Sequence, residues 1–176
     1  MALKTTPSVV VRILLWAIML IGGSAGSIWL DLHHFRELFF NPLYHLFTLI
    51  VGLVLMRFAF RAAAAGGKEL AKHGKSGSGV PRLETDRLVT SGIYAYMRHP
   101  MLFGLTLVPP ALAFLIGSPS YTIFIAPLEM LFIVIMVMTF EERECRMKFG
   151  SDYEAYAKQV PAVCFRPECL KMLFGR

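Results

Sequence analysis

Cysteine is scarce in this 176-residue chain, and its three copies, Cys145, Cys164 and Cys169, all lie in the C-terminal third. None has a partner at metal-ligand spacing, so zinc is not expected. The charge pattern described below puts this end of the chain in a reducing compartment, where disulfides are not expected either. There is no internal repeat and no long low-complexity tract. The N-terminal apolar run lacks a small-residue cleavage site, which argues against a signal peptide and for an uncleaved first helix. Charge is also thin, at 17% of residues against about 25% in an ordinary soluble domain.

What fills the gap is apolar: 56% of residues, more than one soluble core of this size readily hides. The pattern predicts an all-α integral membrane protein with about four transmembrane helices and no room for a separate soluble catalytic domain. The expected spans are Val9 to Leu30, Leu43 to Ala64, Met101 to Gly117 and Tyr121 to Phe140, each judged against a hydrocarbon core of about 30 Å. Pro109, Pro110 and Pro127 are expected to kink the last two. With only Ser118-Pro119-Ser120 between them, these spans should form a tight helical hairpin. Residues 1–64 then form an N-terminal helix pair, 65–100 a polar loop, 101–140 the hairpin, and 141–176 a C-terminal segment that leaves the membrane as a helix and lies along its surface.

The net charge of +6 is read as topology rather than nucleic-acid binding. The loop from Arg61 to Arg98 holds seven Lys or Arg against three acids, whereas the link holding Asp31, Arg36 and Glu37 has one against two. By the positive-inside rule the long loop, both termini and any site near them are expected to be cytoplasmic, beside anionic lipid headgroups. His33, His34 and His45 lack a ligand spacing, and no metal site is expected. Glu129, the one acid inside a span, must face protein or water, either as a packing hydrogen bond or as a functional group.

Two polar clusters flank the hairpin. Ser91 to Pro100, with Tyr94, Tyr96, Arg98 and His99, precedes the third span, and Glu141-Glu142-Arg143-Glu144 follows the fourth. A hairpin returns its two ends to one membrane face, so these clusters are expected to share a polar pocket with an apolar back wall. Taken singly, each residue is also what an interface anchor or a solvated helix surface would carry.

At these positions the sequence resembles the isoprenylcysteine carboxyl methyltransferase family and the related phospholipid methyltransferases. The likeness runs from about Pro81 to Pro167. It comprises Leu88-Val89-Thr90-Ser91-Gly92-Ile93-Tyr94, Arg98-His99-Pro100-Met101 with Gly104, Glu141-Glu142, Phe149-Gly150 with Tyr153 and Tyr156, and Val160-Pro161. It implies methyl transfer from S-adenosylmethionine to a lipophilic substrate entering from the bilayer. Cofactor contacts would come from Asp86, Arg87, Leu88, Val89, Tyr94, His99, Pro100, Met101, Leu102, Glu141 and Glu142. The family commonly has tyrosine where Leu102 stands, and leucine where Cys145 stands. The isoprenylcysteine enzymes also have a substrate-facing arginine within the stretch that here reads Ile135 to Phe140, so Arg98 or Arg143 is expected to meet the acceptor's anionic group. The open alternatives are a phospholipid-amine or thiol methyltransferase, an NADPH-dependent reductase of membrane lipids, and a non-enzymatic membrane scaffold.

Overall fold

The computed structural model describes residues 7–77, 79–80 and 84–174. Among these, helix is the only regular structure. Helix α1 (Pro7–His34) is followed by one turn, α2 (Arg36–Phe39), and then by the long α3 (Pro42–His73). Asn41 starts α3 firmly: its Oδ1 accepts from Leu43 N at 2.9 Å and Tyr44 N at 3.2 Å, while Pro42 takes a first-turn position where an N–H is not needed. Helix α3 does not stop at Ala64. It runs through Gly66 and Gly67 to His73, with Gly66 buried against Pro100 and Met101 of the next helical segment, and the polar loop is correspondingly shorter than expected.

The third apolar stretch is two short helices, α4 (Pro100–Thr106) and α5 (Val108–Ile116), joined at Leu107. Together they measure about 25 Å at 1.5 Å per residue, shorter than the hydrocarbon core; among the described residues, three helices have by themselves the length and composition to cross a membrane. A π turn (Tyr121–Ile125), α6 (Ala126–Met136), a second π turn (Val137–Glu141) and α7 (Glu142–Gln159) then follow, continuous as far as Gly150. Short α8 (Pro167–Phe174) ends the described chain. The expected kinks at Pro109, Pro110 and Pro127 take a different form. These prolines sit in the first turns of α5 and α6, where the missing donor costs little.

Helices α3 and α4–α5 lie side by side and antiparallel, and glycine sets their distance. A Cβ on Gly104 would meet the Ala59 carbonyl oxygen at 2.6 Å, one on Gly52 the Leu115 nitrogen at 2.7 Å, and one on Gly66 the Met101 Cγ at 2.6 Å. Small residues let helix backbones approach in this way where water exclusion gives little driving force. Outward faces stay apolar: Ile18, Ile21, Leu43 and Phe60 are 68–76% exposed, as helices bathed in lipid should be.

The molecule therefore has two ends. At one, α5 closes with Gly117 in a left-handed conformation (φ 67°) that side-chain-bearing residues resist, and the hairpin tip follows. Asp31, expected in a polar link, is instead fully buried in the last turn of α1. It accepts from Ser118 Oγ and from Ser120 N at 2.8 Å, clamping α1 to that tip. At the other end lie His73, Pro100 and Glu142. There α7 breaks at Gly150 (φ 53°, ψ −131°), and the tail folds back against the start of α4, where the Arg98 and His99 N–H groups meet the Pro161 and Ala162 carbonyls. The sequence pattern also missed a covalent link: Cys164 and Cys169 form a disulfide, with Cα atoms 6.0 Å apart. The turn before α8 brings two cysteines close that have no counterpart in spacing rules.

Two variants test these clamps by thermal unfolding in detergent. Asp31→Ala strands Ser118 and the Ser120 N–H without their acceptor and should cost about 1 to 3 kcal/mol, with Asp31→Asn losing less. Gly150→Ala has open space for its methyl group, so its cost is conformational alone, about 1 to 3 kcal/mol. An unchanged midpoint for either variant would contradict the corresponding clamp.

Candidate functional site

The second π turn governs which acid faces inward. Its five-residue spacing, closed by the Glu142 N–H on the Val137 carbonyl, inserts one extra residue and turns the following helix by about 100° relative to an unbroken α-helix. Glu142 is buried as a result, while Glu141 stays half-buried beside it.

Glu142 Oε1 is the hub of the site. It accepts from Arg98 Nε at 3.0 Å, Arg98 Nη2 at 2.7 Å, His99 Nε2 at 2.8 Å and Tyr153 Oη at 3.0 Å. Because a carboxylate only accepts, the His99 proton facing it must be on Nε2. Arg98 and Glu142 side chains are 11% and 7% exposed. Burial alone would lower the Arg98 pKa, but the hydrogen bonds and charge of Glu142 outweigh it and push the value up, so the guanidinium stays charged.

The folded-back tail completes this knot. Arg98 Nη1 donates to the Ala157 carbonyl at 3.1 Å and to that of Val160, and the backbone N–H groups of Arg98 and His99 donate to Pro161 O (2.9 Å) and Ala162 O (3.1 Å). The break at Gly150 is what returns the second half of α7: Tyr153 reaches Glu142, and Tyr156 Oη donates to the Tyr94 carbonyl at 2.6 Å. Below them Val89, Ile93, Tyr94, Met97, Phe103, Leu173 and the Cys164–Cys169 bridge form an apolar core. Burial in it pushes the Tyr94 phenol well above its ordinary pKa, and it stays neutral.

A cavity of about 370 Å³ opens beside the knot, lined by Arg98, Met138, Thr139, Glu142, Arg143 and Arg146. That is within the lower range of small-molecule sites. Its carboxylate has Oε1 committed to four donors, while Oε2 has only the distant Arg146 guanidinium at 3.8 Å.

The structure thus brings Tyr94, Arg98, His99, Pro100 and Glu142 together at one end of the bundle, with Arg143 on the cavity rim. Met101 and Pro100 pack on Gly66 of α3, and Leu102 is half-buried in α4. Val89 is buried in the core and Leu88 partly so. Asp86 and Arg87 do something else. Their backbone N–H groups bond Gly74 O, and the exposed Asp86 carboxylate accepts from Ser76 N at 2.8 Å and Ser76 Oγ, which holds its pKa below the usual range. Asp86 borders a separate cavity, also about 370 Å³, between this loop and Lys148 of α7. Arg146 is a site residue that the sequence reading did not pick; Tyr153 and Tyr156 stood there as part of the family likeness without an assigned role, which the reversal at Gly150 gives them.

Elsewhere, Glu129 accepts from Tyr121 Oη at 2.9 Å within the helices, the packing role among its two expected ones. His33 and His45 contact the carbonyls of Trp29 and Phe39.

No solved structure matches the chain. Protein-S-isoprenylcysteine O-methyltransferase B of Arabidopsis thaliana is 28% identical over 114 residues, covering 65% of this chain and 54% of that protein. The chain thus spans about half the length of this relative. The phospholipid methyltransferase family model matches residues 47–152, which carry most of α3, the Arg98–His99 pair, the hairpin, Glu142 and the cavity wall. With more than half of its length matched, including Arg98, His99 and Glu142, the chain belongs to the phospholipid methyltransferase family.

Proposed function

We propose that this protein is a membrane methyltransferase that uses S-adenosylmethionine and acts on a lipophilic acceptor, in the manner of the isoprenylcysteine enzymes. The observation that carries the reading is the buried Arg98–His99–Glu142–Tyr153 knot beside a cavity at the end of an apolar helical bundle. Its residues suit the cofactor's charged and polar groups: Glu142 Oε2 could take an ammonium or ribose hydroxyls, the arginines a carboxylate, and Met138 an apolar flank. When bound, S-adenosylmethionine supplies a methyl group already activated on a sulfonium.

The chain's own part is binding and positioning. Arg98 and Tyr153 fix the Glu142 carboxylate, and the Pro161 and Ala162 carbonyls fix the backbone of Arg98 and His99, so the polar wall needs no rearrangement. An acceptor that is already an anion needs no general base, and removing water from it matters more. Exposed Ile135, Met138 and Phe140 lie on the same helix as the cavity wall, so the acceptor's chain could remain in lipid while its head enters. On our reading this end is cytoplasmic, which the excess of Lys and Arg between Arg61 and Arg98 supports.

Calorimetric titration of the purified protein in detergent tests the cofactor. Wild type should bind S-adenosylmethionine, with His99→Ala weaker by about 1 to 3 kcal/mol, roughly 5- to 150-fold. Binding of NADPH in preference would favour the lipid reductase instead. Glu142→Gln leaves Arg98 buried without its counter-charge. It should lower unfolding stability by about 3 kcal/mol and abolish methyl transfer, measured with labelled cofactor. A fully stable, active Glu142→Gln protein would rule out the knot as the organising element.

A further inference from the structure

The Cys164–Cys169 bridge lies at the same end of the bundle as the knot, buried with Ile93, Tyr94 and Met97. The excess of Lys and Arg between Arg61 and Arg98 supports a cytoplasmic side for that end. Structural disulfides belong to oxidising compartments. In a reducing one, a bridge that does form is characteristically transient, catalytic or redox-sensing. Cys145 is free, so Cys164 and Cys169 make one defined couple.

The couple is joined to the site through a short stretch of chain. The bridge closes the turn of residues 165–168 and anchors α8, whose Cys169 and Leu173 are buried against the segment around Tyr94 and against Phe103. Phe165 in that turn meets the Phe103 ring edge-on, with centroids 5.5 Å apart. Just before Cys164, the Pro161 and Ala162 carbonyls accept from the backbone N–H groups of Arg98 and His99, and Val160 O accepts from Arg98 Nη1. Only Val163 separates Cys164 from the carbonyl that seats His99. Both cysteines are buried, at 6% and 2% exposure, so a reductant reaches the sulfurs only when α8 lifts. A helix of eight residues opens locally at less cost than the whole bundle.

We propose that Cys164 and Cys169 form a thiol-redox switch on the site: bridged, they fix α8 and the carbonyls that seat Arg98 and His99; reduced, they release both and weaken cofactor binding. The inference rests on the methyl-transfer reading and on the cytoplasmic placement of this end. In the reducing direction a thiolate of a glutathione-type reductant attacks one sulfur, forming a mixed disulfide and expelling the other cysteine as a thiolate that takes up a proton. A second reductant thiolate attacks the reductant sulfur of that mixed disulfide. The remaining cysteine leaves, is protonated in turn, and the reductant departs oxidised by two electrons as its own disulfide. That disulfide drives the reverse reaction. Because the bridged state binds cofactor more tightly, bound cofactor must favour the bridge by the same factor.

The test uses the purified full chain in detergent, equilibrated in glutathione buffers of graded thiol-to-disulfide ratio. Maleimide trapping measures the bridged fraction, calorimetry the S-adenosylmethionine affinity, and hydrogen exchange with mass spectrometry the protection of the peptide carrying Arg98 and His99. Reduction should weaken cofactor binding about tenfold and speed that exchange, with reoxidation restoring both. Saturating S-adenosylmethionine should raise the bridged fraction at a fixed buffer ratio. Cys164→Ser/Cys169→Ser should behave as the reduced protein in every buffer, while Cys145→Ser should keep the full response. Should the double variant fail to fold, the reversible reduction of wild type carries the comparison. A bridge that persists in a buffer poised as in the cytosol, or that opens with affinity and exchange unchanged, is a static staple and overturns the proposal while leaving methyl transfer standing. Loss of the response in Cys145→Ser would overturn it equally. If bridged wild type does not bind S-adenosylmethionine, the functional reading itself falls, and the exchange measurement still decides whether the bridge controls Arg98 and His99.

Discussion

A single carboxylate oxygen, Glu142 Oε1, gathers four hydrogen bonds from three side chains that the chain brings from far apart in sequence. Taking an ion pair out of water costs several kcal/mol per ion, and it survives burial only when the remaining donors and lone pairs are matched. Here the matching is nearly complete on Oε1, and it is what forces the start of α4, the start of α7 and the returning half of α7 into contact. Remove that carboxylate and the Arg98 charge is stranded, the Tyr153 hydroxyl loses its acceptor and the cavity loses a wall.

The bundle beneath it is built so that this contact can occur. Gly52, Gly66 and Gly104 let α4–α5 lie against α3 closely enough for Pro100 to reach the α3 turn near Gly66. At the far end, Asp31 ties α1 to the hairpin tip, so the hairpin is held at both ends by buried carboxylates. The tail then acts as a brace. It gives backbone carbonyls to Arg98 and His99 and an apolar bed, closed by Cys164–Cys169, to the segment around Tyr94.

This division explains how so apolar a chain can hold a polar site. The spans expose hydrocarbon outward and supply no chemistry. The chemistry collects where helices end, because there backbone groups and long side chains can be satisfied without crossing lipid. A π turn at that boundary adds the one residue that rotates the right acid inward.

Hydrophobic run length and charge bias were enough, read along the sequence, to expect apolar helices, a hairpin over residues 101–140 and polar clusters meeting at its open end, since these depend on solvent preference and chain connectivity alone. The motif Arg98-His99-Pro100 with Glu141-Glu142 pointed to the family. What the sequence left undecided depends on phase and on long-range contact. Whether Glu141 or Glu142 turns inward rests on the π turn. Whether α3 stops at Ala64 or continues to His73 rests on what packs beside it. The reversal at Gly150, the Cys164–Cys169 bridge and the loss of Arg98 to an internal role all arise from residues that meet only after the tail folds back. Local patterns carry no record of such meetings, because their energy comes from desolvation and hydrogen bonding between segments tens of residues apart.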